Sequence, residues 1–328
     1  MLYKSVGEYE KAREYLEKSL AMKKEIGDRN EQATCHKNLG TVYHSVGDYE
    51  KAREHQEKAL TITKEIGDRN GEASCYTSLG NVYQSVGDYE NATEHLEKSL
   101  EIQKEVADRN EEANCYGNLG VLYQSFGQYE KAKEHFEKSL AIKKEIRDRN
   151  GEASCYGNLG NVYQSVGDYA KAKEHLEKAL AVKKEIGDKN GEATGYANLG
   201  VLYQSVGEYE KTREYLEKSL AMKKKIGDRN GQASCYKNLG IVYYSVGDYE
   251  KAKELQERAL VITKEIGDRH REASCYTSLG NVYQSVGKYE KAREHHEKSR
   301  DHERSWRQNL RSLLLREPWN CISICWRI

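Results

Sequence analysis

Six cysteines, Cys35, Cys75, Cys115, Cys155, Cys235 and Cys275, recur on a forty-residue spacing, with Gly195 in the one missing place. Such a column could bind zinc, form disulfides or simply pack. Zinc needs its donors about 2.0–2.3 Å from one metal, and a disulfide needs Cα atoms within about 7 Å. Equivalent residues of successive helical units stand at least about 8–10 Å apart, so neither bond can close along the column. Buried thiols in a reducing, cytoplasmic compartment are expected. A second column holds His55, His95, His135 and His175, but Tyr215 and Leu255 fill the same slot further on, so it does not depend on imidazole chemistry. No cofactor and no metal are expected. The stretch GNLGNVYQSVG lacks the Lys-Ser/Thr ending of a phosphate loop and does not follow a strand. No acid, base and nucleophile converge, and the chain is not expected to be an enzyme. The sequon Asn91-Ala92-Thr93 is expected to be silent in such a compartment.

The remaining polar side chains form a stripe. Ser78 shares its slot with Asn38, Asn118, Asn158, Asn198 and Asn238, and Gln84 shares its slot with Gln124, Gln164, Gln204 and Gln284. Asn81, Asn161 and Asn281 add a third row, in which Val121, Val201 and Ile241 supply apolar contacts. A carboxamide offers a donor and an acceptor together, the pair that a peptide backbone presents in reverse. A ladder of amides at repeat spacing is therefore a candidate for holding an extended peptide by its main chain. Lys37 and Lys237 are the main positive groups on the stripe. Partners are expected to be proteins or peptides. With 53 basic against 53 acidic residues there is no cationic excess for a nucleic acid or an anionic membrane, and no apolar run approaches the roughly 18 residues of a membrane span. The other possible use is a structural or self-associating spacer array with no peptide ligand.

The elements that must position this stripe follow from a forty-residue period without insertions over residues 1–299. Tyr43, Tyr83, Tyr123, Tyr163, Tyr203, Tyr243 and Tyr283 share one slot, and the phrase EASCYTSLGNVYQSVG at 72–87 returns at 272–287, so a block of five units is duplicated. Each unit reads as two helices of roughly 18 residues. In the unit from Asp68, that aspartate is a candidate N-cap. Ala73, Tyr76, Leu79, Gly80, Tyr83 and Val86 then line one helix face, and Tyr89, Ala92, Leu96, Ser99, Leu100 and Val106 line a face of the next. A glycine such as Gly67 or Gly187 closes most units. Ala107 and Arg147 stand in that slot instead, and those two junctions are expected to run straighter. Mid-helix Gly80 costs about 1 kcal/mol against alanine, so its recurrence from Gly40 to Gly280 predicts a close approach by the partner helix near Ala92. One pair cannot bury its own faces, so stacked neighbours must complete the core.

Tyr76, Leu79-Gly80, Tyr83, Ala92 and Leu96 resemble the signature of the tetratricopeptide repeat family, and the resemblance covers residues 1–299. It implies an all-α, right-handed α–α superhelix of about seven helix pairs, acting as a protein–protein interaction scaffold, with the stripe on its concave side. The longer unit and the wording "GNLGNVY…GDYEKA" are similar to the repeats of Pins/LGN-type G-protein signalling modulators, the spindle-orientation adaptors. Those repeats carry arginines, which meet acidic ligand residues, where this chain has Thr34, Ser74, Asn114, Ser154, Thr194, Ser234 and Ser274.

Residues 300–328 break the pattern. Trp306, Trp319 and Trp326, all the tryptophans of the chain, lie there with its one proline, Pro318. Tryptophan has a single codon, and a one-base shift of the reading frame turns each into glycine at slots 307, 320 and 327, one repeat beyond Gly267, Gly280 and Gly287. Cys321 and Cys325 become Val or Ala, as at Val282 and Val286. The segment is expected to be the next repeat read out of frame, and MLYKSVG at 1–7 to be a unit cut mid-helix, with self-association through the cut ends. Sequencing the transcript should show the repeat continuing in another frame past codon 299; codons that spell no repeat there would refute this.

Overall fold

The repeated Asp–helix–Gly punctuation sets the element boundaries. In the computed structural model, residues 6–314 are described, and they are helical apart from short turns. The chain forms two units, residues 1–166 and 167–328. The first contains α1 (Val6–Glu25), α2 (Arg29–Ser45), α3 (Tyr49–Ile66), α4 (Arg69–Val86), α5 (Tyr89–Glu105), α6 (Arg109–Ser125), α7 (Tyr129–Glu145) and α8 (Arg149–Ser165). The second contains α9 (Tyr169–Glu185), α10 (Lys189–Ser205), α11 (Tyr209–Lys225), α12 (Arg229–Ser245), α13 (Tyr249–Ile266), α14 (Arg269–Ser285) and α15 (Tyr289–Leu314). Of the segment expected to be out of frame, only residues 300–314 lie within this description, as the end of α15; residues 1–5 and 315–328 lie outside it.

Local chemistry starts and stops each helix. Asp68 accepts from the Gly71 amide at 2.8 Å, a side-chain N-cap. Asp28, Asp108, Asp148, Asp188, Asp228 and Asp268 cap in the same way. At the other end Gly67 takes a left-handed φ of 73°, and the Asp68 amide reaches back to the Thr63 carbonyl at 2.9 Å.

Packing begins at the mid-helix glycines. A Cβ on Gly80 would stand 2.8 Å from Leu96 Cγ and 3.3 Å from the Ala92 carbonyl oxygen. On Gly120 it would meet Phe136 Cε1 at 2.6 Å, and on Gly200 Leu216 Cγ at 2.9 Å. The expected close approach therefore exists, with the large side chain at the Leu96 slot as its first occupant and the Ala92 backbone behind it. The core then passes to the following helix. In the first unit, Ala92, Leu96 and Leu100 of α5 pack with Cys115, Leu119 and Leu122 of α6, and Ala132, Phe136 and Leu140 of α7 with Cys155, Leu159 and Val162 of α8. In the second unit, Leu216 and Leu220 of α11 meet Cys235, Leu239 and Val242 of α12.

The two irregular junctions differ from expectation. Ala107 and Arg147 adopt the left-handed conformation, φ 56° and 58°, and α5 and α7 end where their counterparts do. They are not straighter, because the next N-cap aspartate must reach the same place. The Asp108 amide still bonds the Gln103 carbonyl at 3.1 Å and the Asp148 amide the Lys143 carbonyl at 2.8 Å. A side chain in this conformation costs about 1–2 kcal/mol. Ala107→Gly and Arg147→Gly should each raise stability by about 0.5–1 kcal/mol in urea denaturation; unchanged or lower midpoints would show that the turns carry no strain.

Candidate functional site

The first helix of each pair carries the polar stripe, and its neighbouring slots fall into distinct classes. Asn118 and Asn158 in the first unit, and Asn198 and Asn238 in the second, are half-buried, and Asn38 is exposed. Among the described residues, none of these five amides has a side-chain hydrogen bond within the chain. The hydroxyls of the same slot behave differently. Ser78 donates to the Ser74 carbonyl at 3.0 Å and Ser278 to the Ser274 carbonyl at 3.1 Å, each folded back on its own helix. Asn81 and Asn281 are exposed, Asn161 is half-buried, and Val121 remains 42% exposed, so this row too is accessible.

The glutamine row is mixed, and part of it bridges repeats. Gln84 Nε2 donates to Ser125 Oγ at 3.0 Å, and His44 and Tyr244 in the same slot meet Ser85 and Ser285, each at 2.9 Å. Gln164 is likewise engaged. Gln124 and Gln204 are half-buried and Gln284 is exposed.

Lys37 and Lys237 are half-buried at the start of the stripe. The Lys237 ammonium reaches the Ser274 hydroxyl at 3.3 Å, and Ser234, Lys237, Thr263 and Arg271 line a small cavity of about 40 Å³. Beneath each lysine, a buried glutamine takes the slot that Leu96, Leu176 and Leu216 hold in other repeats. Gln56 Nε2 donates to the Lys37 carbonyl and Gln256 Nε2 to the Lys237 carbonyl, both at 3.0 Å. In both, the buried Oε1 has no partner.

Several residues outside the expected set border the stripe. Lys143 is buried, with its ammonium 2.7 Å from Asn110 Oδ1 and 3.0 Å from Asp148. Lys223 repeats this at 2.6 Å from Asn190, 3.0 Å from Thr194 and 2.8 Å from Asp228. These lysines join three helices, and their stems occupy the space above Gly151 and Gly231, where a Cβ would meet Lys143 Cδ at 2.5 Å and Lys223 Cδ at 2.6 Å. The sequence signal is a lysine eight residues before a glycine. At the related Asp188, the Gly191 amide and then the Lys183 ammonium hold the carboxyl below its ordinary range. Arg271 bonds Asn230 Oδ1 at 3.0 Å and pairs with Asp268 at 3.3 Å.

The cysteine column is buried and unbridged among the described residues. Cys115 and Cys155 contact Ser99 and Ser139 at 3.3 and 3.2 Å. Burial pushes the Cys75 and Cys275 thiols up to about 11, which suppresses thiolate chemistry. His95, His135 and His175 place Nδ1 2.7–2.9 Å from the carbonyl four residues earlier. No group of three or more His, Cys, Asp or Glu that could hold a metal occurs among the described residues, and no helix among them is long and apolar enough to cross a membrane.

Antiparallel helix pairs at constant period, each exposing one polar helix face, define a helical-repeat protein. The chain belongs to the tetratricopeptide repeat family, whose sequence profile matches residues 1–65, 71–145, 144–185, 191–265 and 233–304. The all-α right-handed solenoid expected from the sequence is the fold of that family. No curated protein matches the chain. Among solved structures, the apo form of the quorum sensor NprR from B. thuringiensis is similar in fold, with a TM-score of 0.68 at 19% identity, covering 89% of this chain and 83% of that one. BtubC from P. vanneervenii gives 0.56 at 24% identity, over 71% and 94%. A Rap protein complexed with Competence and Sporulation Factor gives 0.65 at 14% identity, over 94% and 89%.

Gln256→Leu should stabilise the chain by about 1–2 kcal/mol, because it removes a buried acceptor without a partner and restores the residue found at Leu216. Thermal unfolding checks this; a lower midpoint would mean that the bond to the Lys237 carbonyl outweighs the orphaned oxygen.

Proposed function

We propose that this protein is a non-enzymatic scaffold that binds extended peptide segments of partner proteins along the stripe. The observation that carries the reading is the contrast within one surface. Serine hydroxyls are returned to their own helices and Gln84 is held by the next repeat, whereas the asparagine amides have no internal hydrogen bond and stay accessible. Accessible amides at repeat spacing suit the alternating donors and acceptors of an extended main chain. The solved complex of a Rap protein with Competence and Sporulation Factor is a precedent within this fold for holding a ligand. The similarity to Pins/LGN-type adaptors supports the same class of partner, but the stripe lacks their arginines. Within either unit, ligand side chains would meet apolar residues, Val121 in the first or Val201 and Ile241 in the second, and a single lysine, rather than a basic row.

Self-association is the second reading, and one observation favours it. Tyr15 and Met22 on α1 and Ile26 just beyond it are exposed, whereas their counterparts His55, Ile62 and Ile66 on α3 are buried or half-buried.

A peptide selected from a displayed random library against the full chain supplies a probe for the groove. Asn118→Ala with Asn158→Ala, and separately Asn198→Ala with Asn238→Ala, should weaken it by about 1–3 kcal/mol wherever it lies, at about 0.5–1.5 kcal/mol per hydrogen bond. Unfolding midpoints should hold or rise, since alanine is the better helix former. Unchanged affinity in both variants would assign the amides no part in binding. A chain that selects no peptide and sediments as an oligomer would favour the second reading.

A further inference from the structure

Among the described residues, the α2–α3 pair is the one that brings two histidine rings into contact. His36 Nδ1 lies 3.0 Å from His55 Nδ1, with ring centroids 5.1 Å apart, and Tyr43 stacks on His55 at 5.3 Å. His36 is 5% exposed. On the same helix pair, Gln56 packs over Gly40 and leaves its buried Oε1 without a partner. The corresponding slots hold Tyr76, His95 and Leu96 in α4–α5, and Tyr196, Tyr215 and Leu216 in α10–α11.

A contact between two ring nitrogens needs one proton and one lone pair. With both rings protonated, two N–H groups and two positive charges face each other. His95, His135 and His175 instead meet a main-chain carbonyl through Nδ1, a bond that a protonated ring keeps. The charged neighbours do not rescue the pair. Lys24 on α1 and Lys58 on α3 oppose a further charge. Glu54 on α3 is bound by Lys58, and Glu17 on α1 accepts from the Tyr43 hydroxyl at 3.4 Å, so neither carboxylate is hydrogen-bonded to a ring.

We propose that α2–α3 is a proton-sensitive latch, which opens locally when the histidine pair is protonated while the other helix pairs stay closed. The proposal is independent of the peptide reading. Burial, then the nearby His55, pushes His36 from 6.5 down to about 4, and burial also lowers His55. The closed pair is therefore at full strength above about pH 6.5 and weakens as pH falls towards 4, because the open form binds protons that the closed form refuses. At pH 5.0 the shift of His36 alone raises the opening equilibrium about thirtyfold.

Hydrogen exchange of the full chain at pH 7.5 and 5.0, corrected for intrinsic rates, tests this. Peptides from α2 and α3 should open about thirtyfold more at pH 5.0, and those from α6–α7 and α12–α13 should not. His36→Tyr, which installs the residue found at six equivalent slots, should remove most of the response, His55→Tyr, which copies the residue at Tyr215, should lessen it while the burial of His36 persists, and the two together should abolish it. Gln56→Leu should raise protection at both pH values and leave their ratio intact. A uniform change along the chain, no change in α2–α3, or a response that survives both tyrosine variants would overturn the proposal.

Discussion

The contact between a glycine in the middle of one helix and a large side chain on the next governs this structure. At Gly80, Gly120 and Gly200 there is no room for a Cβ, because Leu96, Phe136 and Leu216 occupy it. That contact fixes how near the two helices of a pair stand, and so where the backside of the second helix meets the following pair. Leu100 and Leu140 then find Leu119 and Leu159 at the depth their lengths allow. Small residues such as Ala92, Cys115 and Ala132 fill what is left. Larger ones would push the helices apart and lose the contacts on which each neighbouring pair relies.

Polar groups follow the same discipline at the junctions. Each first helix begins on an aspartate that caps it, and in several repeats a lysine from the preceding helix lies across that aspartate and an asparagine one repeat back. The ammonium of Lys143 can be buried because it has both partners. With the junctions satisfied internally, the asparagine amides are among the stripe's polar groups left without an internal hydrogen bond.

Much of this was legible in the sequence because it follows from backbone requirements that recur. The period, the caps, the helical spacing and the meaning of Gly80 all come from residues whose types have few structural uses. Other features were hidden because they depend on a neighbour one repeat away. Gln84 and Asn118 carry the same amide, and only the place of Ser125 separates a bridging glutamine from an unengaged asparagine. Lys143 looks like any lysine of a charged helix until its stem is seen above Gly151. At Ala107 and Arg147 the sequence pointed the wrong way. Residue preference argued against a left-handed turn, but the capping geometry of the next helix required it. The positions of the candidate site residues could be read from periodicity; their hydrogen-bonding states could not.

The unbroken forty-residue register also bears on how such a chain can change. Any two equivalent points within a unit have the same backbone geometry and the same kinds of neighbour, so a crossover between them removes or adds one whole helix pair and rejoins surfaces that already match. The near-identical wording of successive units makes such misaligned exchange easy at the level of the gene, as the returning block at 272–287 illustrates. A fold whose interfaces are interchangeable tolerates changes of length better than changes of shape, and the number of amides on the stripe can then be altered in whole steps, without inventing a new contact.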